Sequence, residues 1–159
     1  MEPKPTRNRW ADKFREPSLA DLQAGIIDRA AAATFGQVRG RILDIEGVSE
    51  HVRWLGTPWH WTLCYSCDQD PTRALIFLIP NPAKPQLCVP LTTGMIQSLS
   101  LRRLKKPVRD GIIFSKVVAG TFWPTWELTS RAIADEVLEL AGRKHRYIAG
   151  HVDVVAGAT

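Results

Sequence analysis

The sequence predicts an α+β domain in which helices pack on one face of an antiparallel sheet of about five strands. Apolar residues recur every three to four positions near the start, the middle and the end of the chain, which is the helical period. Between these segments apolar residues alternate with polar ones or run continuously, as they do in strands. Consecutive strands are joined by turns too short for parallel crossovers. The expected order of elements is therefore α-β-β-β-α-β-β-α.

The chain's length and composition fit one globular domain, with 159 residues of which 45% are hydrophobic. We expect an extended N-terminal arm over residues 1–17, the α+β domain over 18–146 and a C-terminal tail over 147–159. The arm mixes prolines and charges, so it stays extended unless Trp10 and Phe14 dock onto the domain. The tail is expected to form a short strand or an unstructured end.

The predicted compartment is the cytoplasm. The sequence contains neither the roughly 18 consecutive apolar residues of a membrane span nor the apolar stretch of a secretory signal. Its three cysteines are an odd number and a low density, which favours reduced thiols over a disulfide scaffold. We therefore expect a protein without a membrane partner; the sequence leaves the oligomeric state open.

Helical periodicity begins after Ser18, whose hydroxyl suits an N-cap, with Asp21 near the positive end of the helix dipole. The apolar stripe then predicts a helix to about Phe35. Gly36 and Gly40 weaken its continuation, although a second helical piece to Glu46 is compatible with the spacing. Gly47 then provides a common helix terminus.

Three strands are predicted in the stretch that follows. Residues 59–67 alternate between large apolar and smaller side chains, so one face of this strand is heavily packed. A turn at 68–71 leads to the continuous apolar run 74–79, a strand buried on both faces. Residues 86–91 form a third strand, short or at an edge because Pro85 and Pro90 flank it.

The second half of the chain predicts a helix, a hairpin and a last helix. Thr93 caps the first helix, which carries its basic residues at the C-terminal end and stops at Pro107. Segments 112–118 and 121–128 form the hairpin around Ala119 and Gly120, and Pro124 marks an edge or a bulge. The last helix begins after Ser130 and ends at Gly142.

Tryptophan is the most unusual feature of the composition, with six in the chain. Three of them and all three cysteines lie between Arg53 and Leu91. Two interpretations are open, because aromatic residues dominate cores and also line ligand pockets. The second predicts a non-enzymatic module that binds a small ligand or a partner protein on the sheet. Its pocket residues are Trp59, His60, Trp61, Tyr65, Arg73, Trp123 and Trp126.

A basic segment over residues 102–116 supports an alternative function. It holds six cations and Asp110 as its one acid, within a chain of net charge +5. Such a cluster is most often a solvated face, but it also permits nucleic-acid binding. The residues proposed for this alternative, which the sequence does not favour, are Arg102, Arg103, Lys105, Lys106 and Arg109.

The sequence shows no catalytic, metal or cofactor signature, so an enzyme is the third hypothesis. Cys64 and Cys67 have the spacing of a redox pair, but residues three apart on a strand point to opposite faces. No further cysteine pair completes a zinc site. An enzyme requires His60, Cys64 or Asp68 to meet in one cleft.

Two segments resemble small bacterial domains of unknown function related to the YdhG-like group. IEGVSEHVRWLGTPWHWTLCY, residues 45–65, is similar to the entry of that group's sheet, with Glu46 at a position where proline is usual. GTFWPTWELTSRAIADEVLELAGRK, residues 120–144, resembles the closing strand and helix of a related family. The resemblance implies an α+β domain. Some members are described as iron-binding chaperones, a function not transferred to this basic chain.

Overall fold

The structure is a computed structural model that describes residues 9–157, with side chains described for residues 9–150. Within that range the helices are α1 (Leu19–Ala24), α2 (Arg29–Leu43), α3 (Thr93–Ser98), α4 (Lys106–Ile113) and α5 (Arg131–Gly157). The strands are β1 (Val48–Trp54), β2 (Trp61–Cys67), β3 (Asp70–Ile79), β4 (Gln86–Cys88), β5 (Leu91–Thr92), β6 (Val117–Val118), β7 (Thr121–Phe122) and β8 (Thr125–Glu127). Short 3-10 turns occur at Arg9–Ala11 and Leu101–Arg103.

The predicted α+β class is confirmed. Strands β1-β2-β3-β4-β8 form a five-stranded sheet, β5-β7-β6 form a smaller one, and every pairing is antiparallel. The inner face of the larger sheet packs on the helices through alternate residues such as Leu63 and Ile76. The outer face carries a second cluster around Phe77, Ile79 and Cys88. This separation follows from the period of two along each strand.

The first helical region is divided differently from the prediction. Ser18 is the N-cap of α1, as expected, and its hydroxyl accepts from the Asp21 N–H at 3.1 Å. The helix ends at Ala24, and Asp28 caps a separate helix that runs through Gly36 and Gly40 to Leu43. Gly36 faces the end of the Gln23 side chain, which would have to shift if residue 36 carried a side chain.

Strand β1 was not predicted. Its inner positions include Glu50, and its outer positions carry Ser49, His51 and Arg53, so the apolar alternation is faint. Glu50 is stabilised on the inner side because Arg39 donates to both of its oxygens at 2.9 Å and Tyr65 donates to Oε2 at 2.7 Å. The predicted turn at 68–71 is also shorter, since β3 already begins at Asp70.

The prediction of one helix between Thr93 and Pro107 was wrong in its extent. Thr92, not Thr93, caps α3, which ends at Ser98, and Pro107 lies in the first turn of α4 instead of ending a helix. Proline is accepted there because the first N–H groups of a helix have no intrahelical partner. The basic residues therefore precede or begin α4, where the helix dipole does not favour cations.

The predicted hairpin turn is confirmed, but its strands are shorter. Ala119 and Gly120 have φ of 50° and 77°, the left-handed conformations of a tight hairpin turn between β6 and β7. Residues 112–113 belong to α4 instead of a strand. After Pro124, β8 leaves the hairpin and pairs with β4 at the edge of the large sheet, which agrees with the predicted edge position.

Helix α5 does not end at Gly142 but continues to Gly157. Its buried stripe extends across that glycine through Ala141, Lys144 and Ile148, so packing maintains the helix. Residues 147–157 are accordingly helical, in place of the expected strand or unstructured end. No helix in the described range has the length and apolar character needed to cross a bilayer.

The N-terminal arm is described from residue 9 onward, and residues 1–8 lie outside the described part of the chain. Trp10 packs against both apolar clusters, so this one of the two aromatic side chains named for docking does dock onto the domain. Trp61 Nε1 donates to the Asp12 carbonyl at 2.6 Å, which further attaches this segment to the sheet. Phe14, by contrast, is 90% exposed.

Candidate functional site

An aromatic cluster covers part of the outer face of the large sheet. Its members are Trp59, Phe77 and Trp123. The Trp59 and Phe77 ring centroids are 5.2 Å apart, and Trp123 lies 6.1 Å from Phe77 and 6.3 Å from Trp59. These side chains meet because Phe77 points outward from β3 while the loops before β2 and after β7 deliver the two tryptophans. The cluster provides an apolar wall in which the Phe77 and Trp123 rings are nearly parallel and Trp59 meets them at a steep angle.

A cleft of about 410 Å³ lies beside this wall, between the two sheets. It exists because β4 is only three residues long, so the ladder between β3 and β4 stops at Phe77 and Cys88. From there the chain passes through Pro90 into the small sheet, and the first half of β3 is left facing a gap. The residues that line the cleft are Asp70, Thr72, Arg73, Ala74, Pro90, Thr92, Met95, Thr121, Trp123 and Lys144.

Lys144 fills the base of this gap. It projects from α5 and is 1% exposed. Its Nζ donates to the carbonyl oxygens of Ala74 at 2.7 Å and Leu75 at 3.0 Å, and to that of Pro90. The register of β2 and β3 shifts at this same point, where a bulge interrupts the ladder. Lys144 thus supplies hydrogen-bond donors to backbone carbonyls at the place where the sheet divides.

Lys144 has no acidic partner in the part of the chain whose side chains are described. Among the described residues no ion pair includes it, and its three partners are neutral carbonyls. Burial lowers the pKa of Lys144 to about 7. The nearby Cys88 thiol stays neutral, because burial raises its pKa to about 12. At neutral pH the amine is therefore divided between its charged and neutral forms, and a bound anion would favour the charged form.

Arg73 and Asp70 form the charged rim of the cleft. Arg73 Nε lies 3.4 Å from Asp70 Oδ2, and both side chains are partly exposed. This distance is long for a charge-assisted hydrogen bond, and an exposed pair contributes roughly 0–1 kcal/mol. The guanidinium can therefore turn toward an anionic group in the cleft at small cost.

The seven pocket residues predicted from the sequence do not line one pocket. Trp61, Tyr65 and Trp126 lie in the core on the inner face, so the core-filling interpretation holds for these three. His60 packs its ring edge-on against Trp10, with ring centroids 4.4 Å apart. The other three, Trp59, Arg73 and Trp123, lie at the outer face or the cleft.

Cys64 and Cys67 lie on opposite faces of the sheet, as predicted, although Cys64 is only partly buried. Cys64 packs on the outer face and Cys67 on the inner face, and all three cysteines are free. Burial raises the pKa of Cys64 to about 11, which leaves little reactive thiolate at neutral pH. In the described range no three His, Cys, Asp or Glu side chains come together as metal ligands.

The predicted nucleic-acid residues are accessible. Arg102 and Arg103 lie in a 3-10 turn, Lys105 precedes α4, and Lys106 and Arg109 lie in it. None of these five forms an ion pair with another described residue. They form a cationic surface without acidic partners among the described residues. In sequence, these five residues are distant from the β3 residues that line the cleft.

Sequence reasoning missed Lys144, which is not among the residues predicted for either site. One pattern would have pointed to it: Val137, Ala141, Lys144 and Ile148 share a single helical stripe. A lysine within an apolar stripe needs an internal partner. The carbonyl acceptors themselves depend on the register shift in β3, which no local pattern predicts.

No family model, curated protein or solved structure matches this chain. The resemblance to YdhG-like domains therefore stays a prediction.

Proposed function

We propose that this protein is a non-enzymatic module that binds a small anionic ligand with a flat apolar part in the cleft between Arg73, Trp123 and Lys144. The observation that supports the proposal most strongly is the buried Lys144 ammonium at the base of the cleft, without a counter-ion among the described residues. Strongly perturbed ionisable groups in clefts are enriched at functional sites.

The cleft offers complementary contacts for such a ligand. Its volume of about 410 Å³ is in the range of small-molecule sites. The indole of Trp123 provides a flat wall, and Arg73 is suited to carboxylate or phosphate recognition. All three Lys144 donors already bind carbonyl oxygens, so Lys144 acts on the ligand through its charge.

Binding without catalysis is favoured by the chemistry of the lining residues. Asp70 is the cleft's acidic group and already lies beside Arg73. The thiols and His60 lie outside the cleft lining, and the Lys144 amine is buried with its donors bound to backbone carbonyls, so we infer binding rather than catalysis. The buried free thiols also support the inference of a reducing, cytoplasmic location.

The test uses a pair of probes that differ in charge. Indole-3-acetate has an aromatic ring and a carboxylate, whereas 3-methylindole has a similar ring without charge. We expect indole-3-acetate to raise the melting temperature at roughly millimolar concentrations, and 3-methylindole to bind at least about tenfold more weakly.

Variants locate the binding. Arg73→Gln should weaken indole-3-acetate binding about tenfold or more in calorimetry, because a hydrogen bond to a charged group is lost. Arg29→Gln removes an exposed arginine at the start of α2 and serves as the matched control. Equal affinity for the two probes, or equal effects of the two variants, would exclude this cleft as the anion site.

A further inference from the structure

Four exposed apolar side chains occur together where α4 ends and β6 begins. Phe114 is 82% exposed, Ile113 55%, and Val117 and Val118 50% each. We refer to these four residues as the apolar tip. They lie within six consecutive residues, and β6 is an edge strand of the small sheet. Exposed apolar side chains that lie close together are typical of interaction sites.

Cations surround the apolar tip. Lys116 lies within the same stretch, and Lys106, Arg109 and Ile113 share one face of α4 by their helical spacing. The opposite face, with Val108 and Ile112, is buried in the core. Among described residues none of these cations forms an ion pair, so their charge is available to an anionic partner.

We propose that the apolar tip binds peripherally to the surface of an anionic lipid bilayer, with Lys106, Arg109 and Lys116 at the headgroups. An apolar group flanked by cations matches the two layers of such a surface, acyl chains below and negative headgroups above. The proposal concerns attachment at the membrane surface, whereas the expectation of no membrane partner considered spanning segments, with which the described helices agree. It is independent of the cleft.

The chemistry of the tip favours a bilayer over nucleic acid. Nucleic-acid bases bind by stacking on aromatic rings. Phe114 is the one aromatic group of the tip, and its other three side chains are aliphatic. Aliphatic and aromatic side chains both partition into the acyl boundary without a matching pocket.

Vesicle sedimentation tests the proposal on the full chain. We expect binding to phosphatidylcholine vesicles that contain about one-third phosphatidylserine and little binding to phosphatidylcholine alone, with roughly a fivefold contribution per cation. Raising the salt concentration should weaken binding because it screens these charges.

Two matched phenylalanines locate the contact. Phe114→Ser should lower vesicle binding about tenfold or more, since an inserted aromatic side chain is lost. Phe14→Ser is the control, because Phe14 is at least as exposed as Phe114 and also lies between two cations, Lys13 and Arg15. Lys106→Gln with Arg109→Gln should reduce binding roughly 25-fold.

Four outcomes would overturn the proposal. They are absence of binding to the anionic vesicles, equal losses in the two phenylalanine variants, tighter retention on single-stranded DNA that Phe114→Ser abolishes, and a dimer in light scattering that Phe114→Ser dissociates. The last two would assign the tip to nucleic acid or to a second copy of the chain.

Discussion

At the scale of single residues, Lys144 shows how a buried charge is stabilised without an acid. Three carbonyl oxygens surround its Nζ at the point where β3 leaves its ladder. Without the lysine each of these carbonyls would lose a hydrogen bond, which typically contributes about 1 kcal/mol to stability. The lysine and the divided sheet therefore depend on each other.

The pKa of Lys144 predicts a pH-dependent stability. Burial lowers its folded-state pKa from 10.5 to about 7, so between these values the unfolded chain binds more protons than the folded chain. Stability should therefore rise by about 2 kcal/mol between about pH 7 and pH 9. Urea unfolding across this range measures it, with Lys144→Met as the comparison.

Lys144→Met should lower overall stability but remove this rise. The pKa values of the buried thiols are raised, as for Cys64, so their contribution has the opposite sign and begins above about pH 9. They are present in both chains and cancel in the difference. The same slope in both chains would show that Lys144 stays charged when folded.

At the scale of elements, glycines have different roles that their sequence context does not reveal. Gly111 of α4 lies against the indole of Trp126, and an added Cβ would overlap that buried ring. Gly142 of α5 has ordinary space around it, with Arg146 Nη1 as the nearest atom at 3.7 Å. Gly111 therefore allows α4 and β8 to lie close together, whereas Gly142 has no such role.

Alanine at the two positions should therefore act in opposite directions. Gly111→Ala should destabilise the protein by roughly 1–3 kcal/mol through overpacking, despite the better helix propensity of alanine. Gly142→Ala should stabilise it by about 0.5–1 kcal/mol. Thermal or urea unfolding measures both, and stabilisation by Gly111→Ala would show that Trp126 moves aside easily.

The sequence predicts elements well where packing and periodicity agree. Phe122, Trp126 and Leu128 pack in the core cluster and Trp123 lies on the outer face, so alternate positions keep to one side although the strand divides at Pro124. The sequence does not predict a strand where a polar residue lies on the inner face, as Glu50 does in β1. Gly142 and Pro107 were interpreted as helix ends. Helix α5 instead continues through Gly142 because its buried stripe is continuous, and Pro107 lies in the first turn of α4.

At the scale of the whole molecule, Lys144 connects the helix layer to the cleft between the two sheets. It extends from α5, whose stripe packs on the inner face, while Arg73 and Trp123 approach the cleft from the other side. Part of this site was predictable, because Arg73 and Trp123 were named from sequence. The cleft itself depends on the short β4 and on the link through Pro90, which are tertiary features.

This arrangement predicts pH-dependent ligand binding. Indole-3-acetate should bind more tightly at about pH 6 than at about pH 8.5, because Lys144 is fully charged only below its pKa of about 7. Calorimetry at the two pH values measures the ratio. In Lys144→Met, provided that it folds, the ratio should approach one, and an unchanged ratio would show that another group controls binding.

The three carbonyl contacts also protect the Lys144 amine from chemical reagents. Acylation requires a neutral, accessible amine, and Nζ is enclosed by β3, Pro90 and α5 in the folded chain. Exposed lysines such as Lys106 should be modified rapidly by the same reagent. The acylation rate of Lys144 therefore reports how often α5 opens from the sheet. Mass spectrometry measures this rate for each lysine separately.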